Sequence, residues 1–126
     1  MITQSDVDRV LADNPLITAE GFEHGWKKTR PEYIPASVNI REMQGAVDWL
    51  EKNRRRATIN RKYTSYQLKH FAEKTAKPHP YISNGAFIAA AYFLGFTVKR
   101  INDGPNAYIN ISSKTVTPLR AAVGYD

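Results

Sequence analysis

Lysine and arginine crowd into one stretch of this chain. Six of them, Lys52, Arg54, Arg55, Arg56, Arg61 and Lys62, fall between positions 52 and 62. Guanidinium and ammonium groups at that density neutralise phosphates, which is the chemistry of polyanion binding. Tyr66, Gln67, His70 and Lys74 follow at a spacing that puts them along one side of a helix. Exposed polar side chains on a rigid element are what base reading requires. Gln67 suits adenine, Lys74 suits guanine or a phosphate, and His70 lies beside them on the same strip. Ser83 and Asn84 open a further helix, whose first backbone N–H groups would donate to a phosphate oxygen. Lys99 and Arg100 lie on a strand from which they would reach a nucleic-acid backbone.

The charge is divided along the chain. Residues 1–51 hold nine acids and five bases, a net of −4, whereas residues 52–126 hold thirteen bases and three acids, a net of +10. A one-sided basic half of this kind is the footprint of a nucleic-acid binder. The same half cannot build a carboxylate pair for acid–base work, because Glu73 and Asp103 are its only internal acids. Cysteine is absent, so disulfides and thiolate metal sites are excluded. His24, His70 and His79 lack metal-ligand spacing, and no serine lies in a nucleophile-elbow context. The sequence therefore points to a protein with no catalytic residues, no cofactor and no metal.

The elements that must carry these residues follow from period and punctuation. Ser5 to Ala12 reads as a short helix, capped by Ser5 and stopped by Asn14-Pro15. Residues 16–37 have no period but hold Phe22, Trp26, Tyr33 and Ile34, an aromatic arm expected to pack on the body. Asn39 to Arg56 reads as one helix, with Ile40, Met43, Val47 and Leu50 on its apolar stripe and Trp49 off it. On that reading Arg54, Arg55 and Arg56 complement the negative end of the helix dipole. Thr64 to Ala76 is a second helix, opened by a Thr64/Gln67 capping box and closed by the turn Lys77–Pro80. Ser83 caps a third, with Gly95 as its C′ residue. From Ala86 to Leu94 that helix is apolar on every side and must be buried, and its arc of Gly85, Ala86, Ala89 and Ala90 admits the close approach of another backbone. Phe96–Ile101 and Ala107–Ile111 form a hairpin around the turn 102–106.

Three ordered blocks carry a likeness: Ile59 to Lys74, Tyr81 to Ala91, and Pro105 to Ser112. Over about residues 47–113 the chain resembles a family of small proteins of bacterial phages, plasmids and integrated elements. No activity attaches to that family, so the resemblance implies a mobile-element context and a bacterial cytosol, and brings no site residue with it.

These observations predict an α+β fold in a single small domain. A helix-turn-helix-like core is followed by a C-terminal hairpin, in the manner of a winged helix. Residues 1–38 would form the N-terminal helix and arm, 39–113 the basic core, and 114–126 a tail. The helix before the hairpin, being apolar, is unsuited to a groove, so the strip on the preceding helix is the expected reader. The expected function is nucleic-acid binding, with double-stranded DNA as the target. The alternative is an accessory protein that binds a host protein through Phe22, Trp26 and Tyr33 or through the small-residue arc. A homodimer that buries the apolar helix is compatible with either. The N-terminus does not read as a signal peptide, and the longest apolar run, Gly85 to Phe96, is too short to span a bilayer, so a cytoplasmic protein is expected.

Overall fold

A computed structural model describes residues 1–24, 30, 32–75 and 81–116. Trp26, the Lys77–Pro80 turn and the tail beyond Val116 lie outside the described residues. The element order is α1 (Gln4–Asp13), β1 (Ile17–Thr18), β2 (Gly21–Phe22), α2 (Ile40–Leu50), β3 (Arg55–Asn60), α3 (Ser65–Thr75), α4 (Asn84–Phe93), β4 (Val98–Arg100) and β5 (Ala107–Ile111). It is a small α+β domain with, among the described residues, two antiparallel sheets, β1-β2 and β3-β5-β4. Among the described residues no helix is long and apolar enough to cross a membrane.

The helix α4 is the centre, as its all-round apolarity requires. Every residue from Asn84 to Ala91 is buried, and Phe87 and Ile88 are fully so. Burial of each such side chain stabilises by roughly 1.5–3 kcal/mol. α2 packs most extensively on it, and α1, α3, β1 and β2 cover the remaining sides. Trp49, off the α2 stripe, finds its partner in the Phe87 ring at 6.0 Å. Both ends of α4 are closed. The Ser83 hydroxyl accepts from the Ala86 N–H, while Gly95, at φ +84°, ends the helix in a Schellman arrangement with Phe96 N–H on Ala91 O and Gly95 N–H on Tyr92 O.

The small-residue arc is where the N-terminal hairpin docks. The Gly85 N–H donates to Ala19 O, and a Cβ on Gly85 would stand 1.7 Å from Thr18 O. The core runs from Ile2 to Val116 without a break, so the N-terminal segment shares one core with the basic half.

Two expectations need correction. The first helix is capped by Thr3, whose side chain and Asp6 form a capping box, with Ser5 inside the helix. More consequentially, α2 stops at Leu50, and Arg55–Asn60 is a strand. The Asn53 side chain donates back to Trp49 O and turns the chain out of the helix. β3 then pairs with β5, with a large bulge: Arg55 faces Ile111 and Asn60 faces Ile109. Arg54, Arg55 and Arg56 are therefore at the start of an edge strand and have no helix dipole of their own to complement. Charged side chains are common on such an edge because they discourage pairing with other chains.

Alanine for glycine inside a helix normally stabilises by about 1 kcal/mol. Gly85→Ala is expected to do the reverse, costing roughly 1–3 kcal/mol, because the contact is with backbone that cannot swing aside. Urea denaturation checks the sign, and a more stable variant would place the β1-β2 hairpin elsewhere.

Candidate functional site

The basic residues separate into those that hold the fold and those left for a ligand. Arg55 Nη1 donates to Leu94 O and Gly95 O, so its guanidinium closes the C-terminal end of α4, and it lies 5.9 Å from the Phe96 ring centre. Arg56 donates from Nε to Thr58 O and from Nη2 to Ile59 O, bracing the β3 bulge. Arg54 is exposed beside them, its backbone paired with Ser112 and Thr115. Arg100 donates to Gly104 O, Asp103 O and Glu23 O, and so ties the hairpin turn to the N-terminal segment.

The outward groups converge on Tyr108. In the sheet Lys99 lies opposite Tyr108, and the Arg61 guanidinium stacks over its ring at 5.6 Å. Together with Arg100 and Asn102 they line a shallow cavity of about 460 Å³. A cation over an aromatic face is attracted by the ring quadrupole. Arg61 and Lys99, which lie far apart in sequence, thus share one surface. Lys62 is directed to the Tyr63 ring at 5.4 Å.

The expected reading strip on α3 has a different neighbourhood. Gln67 is committed to the capping box: its Oε1 accepts from the Thr64 N–H at 2.9 Å, and the Gln67 N–H donates to Thr64 Oγ1 at 3.2 Å. A base contact through that oxygen would compete with the cap. His70 Nδ1 lies 3.0 Å from Glu73 Oε1, and its ring stands edge-on to Tyr66 at 4.6 Å. Lys74 is exposed on the last turn. Tyr66 opens onto a separate cavity that shares no lining residue with the one around Tyr108.

The α4 N-terminus is not available to a phosphate. The Ser83 N–H donates to Glu42 Oε1, the Gly85 N–H to Ala19 O, and the Ala86 N–H to Ser83 Oγ. Asn84 is 5% exposed. Its Nδ2 donates to Glu20 O, Pro105 O and Asn106 Oδ1, and its Oδ1 accepts from Ser65 Oγ. Ser83 and Asn84, expected as phosphate ligands, instead join four segments of the fold.

Sequence reasoning missed two residues of the second cavity, Lys69 and Tyr81. The Lys69 side chain is only 4% exposed, 3.5 Å from Glu73 Oε2, with Nζ over the rings of Tyr66 at 5.1 Å and Tyr81 at 4.7 Å. The spacing Tyr66, Lys69, Glu73 puts all three on one helix face and was the available signal. Tyr81 lies outside that helix, and no periodicity singles it out. Its hydroxyl is held above the ordinary phenol pKa by partial burial, then by the negative charges of Glu42 and Glu73.

Comparison with family models, curated proteins and solved structures finds no match to this chain. Among the described residues no group of three His, Cys, Asp or Glu side chains converges as a metal site would require.

Asn84→Ala tests the structural role of that residue. It leaves buried partners unsatisfied and is expected to destabilise by roughly 1–3 kcal/mol in thermal or urea denaturation. Polyanion affinity of the remaining folded protein should stay at the parent value, and a stable variant with weakened binding would return Asn84 to the ligand-binding set.

Proposed function

We propose that this chain is a small, non-enzymatic DNA-binding protein of a bacterial mobile element, built as a variant winged helix. The observation that carries the reading is the convergence of Arg61 and Lys99 on Tyr108. It joins cations, which neutralise phosphates without regard to sequence, to an aromatic face on which a sugar or base can rest. The element order supports the winged-helix reading: α2, β3, α3, α4, then the hairpin β4-β5, with β5 between β3 and β4. The hairpin would then be the wing.

The proposed mode departs from the usual one in a specific respect. The helix that precedes the wing commonly enters the major groove. Here that helix is α4, enclosed by α1, α2, α3 and the β1-β2 hairpin. The binding surface therefore moves to the sheet and wing, with Arg54 at its margin. Interactions of that kind position a protein on the duplex and carry little sequence information. The α3 strip contributes at most Lys74. Low sequence specificity and strong salt dependence follow.

A mobility-shift titration on duplex DNA between low and moderate salt tests this. Arg61→Ala with Lys99→Ala should weaken binding alike on unrelated sequences and flatten the log–log salt slope by about 0.9 for each phosphate no longer neutralised. Gln67→Ala should leave the affinity unchanged. An unaltered slope in the double variant removes the Tyr108 surface as the interface. No shift at low salt for the parent would favour the second reading, an accessory protein that binds a host protein. Phe22 and the small-residue arc, expected to carry that reading, are buried, so it draws instead on the exposure of Ile34 at 88% and Tyr81 at 64%.

A further inference from the structure

The cavity on the far side of α3 has a chemistry of its own. It encloses about 740 Å³ between the β1-β2 segment, the start of α2, α3 and the hairpin turn at Pro105. That volume lies within the usual range for small-molecule sites, about 300–1,000 Å³. Its walls include the rings of Tyr66 and Tyr81, the carboxylates of Glu20 and Glu42, and the Lys69 side chain.

Lys69 shows what these walls accept. Its ammonium, almost wholly buried, lies against two tyrosine faces and a carboxylate. Two aromatic faces beside a carboxylate are the surroundings in which an organic cation keeps its charge out of water. Glu73 neutralises Lys69, because the two form an ion pair at 3.5 Å. Glu20 and Glu42 then remain as lining carboxylates with no other lysine or arginine among the described lining residues to offset them. Glu42 uses Oε1 for the Ser83 N–H, and Glu20 uses Oε2 for the Tyr33 hydroxyl. In each the second oxygen is the natural partner of an incoming donor. An anionic ligand would meet two like charges at close quarters, which opposes carboxylates and phosphates.

We propose that this cavity binds an organic cation, a primary ammonium or guanidinium on a short aliphatic chain. Glu20 and Glu42 are its counter-ions and Tyr66 and Tyr81 its stacking walls. The cation comes either from a free amine or from a lysine or arginine side chain of a protein. Among the described residues the site is acidic in a chain of net charge +6, and it shares no lining residue with the basic surface around Tyr108.

Isothermal titration calorimetry on the full chain, without nucleic acid, tests it with three probes: agmatine, the capped peptide Ac-Gly-Arg-Gly-amide, and glutarate as the anionic control. Saturable binding of agmatine or of the peptide is expected, and none of glutarate. Tighter binding of the peptide assigns the source to a protein side chain, and equal or tighter binding of agmatine assigns it to a free amine. Glu20→Gln with Glu42→Gln keeps an acceptor for Tyr33 and Ser83 and should lower the affinity about tenfold or more, the loss expected of a charge-assisted hydrogen bond. Tyr81→Leu, on an exposed ring, should weaken binding without unfolding, as circular dichroism can verify. Failure of both cations to bind, binding of glutarate instead, or unchanged affinity in the Gln variant would overturn the proposal.

Discussion

The arrangement depends on one buried polar contact, between Ser65 and Asn84. The Ser65 hydroxyl donates to Asn84 Oδ1 at 2.8 Å and accepts the Ala107 N–H at 3.0 Å. The Asn84 amide reaches Glu20 O, Pro105 O and Asn106 Oδ1. Through two side chains the first turns of α3 and α4 are tied to the N-terminal hairpin, the β4-β5 turn and the start of β5. In a low-dielectric interior such a network is strong when every member is satisfied and costly when one is removed. It therefore specifies one mutual placement of these elements. Glycine is required above it: Gly21 has φ +111°, and a Cβ there would lie 2.3 Å from Pro105 O and 2.4 Å from Asn84 Nδ2.

That network also shapes what the surface can do. By seating the β1-β2 hairpin on α4, it covers the helix that a groove-reading protein would expose. Beside the sheet and hairpin, Arg61 and Lys99 remain outward. Arg55, Arg56 and Arg100 spend their donors on backbone carbonyls, so three of the cations that looked like phosphate ligands hold a helix end, a bulge and a turn. The difference between a structural arginine and a binding one is which acceptors lie within reach, and most of these acceptors belong to segments distant in sequence or to a bulge and a turn that only the sheet defines.

The two cavities stand in electrostatic contrast. Around Tyr108 the charged groups among the described lining residues are all basic. Beside α3 the lining carries carboxylates, and Lys69, the one lysine among the described lining residues, is paired with Glu73. The fold keeps them apart, because α3 presents Tyr66 and Lys69 to one side while the sheet presents Lys99 and Tyr108 on another surface. A chain with the proposed functions would thus meet a polyanion and an organic cation at separate places.

Local chemistry made much of this legible beforehand. The apolar run from Ala86 to Leu94 could only be central. Ser83 and Gly95 delimited α4, the Thr64/Gln67 box opened α3, and the hairpin turn lay where Asp103-Gly104-Pro105 signals one. Each of these features is decided within a few residues, by helical period, by a cap or by turn geometry. What only the tertiary structure decided were features completed by distant partners. Arg55–Asn60 is a strand because β5 supplies its hydrogen bonds, although its own residues resemble a charged helix end. Asn84 is a structural residue because other segments bring acceptors and a donor to it. Lys69 is buried because Tyr81 and Glu73 close over it. The sequence specified which side chains carry charge and which seek burial; the packing of α4 determined which of those charges would still face outward.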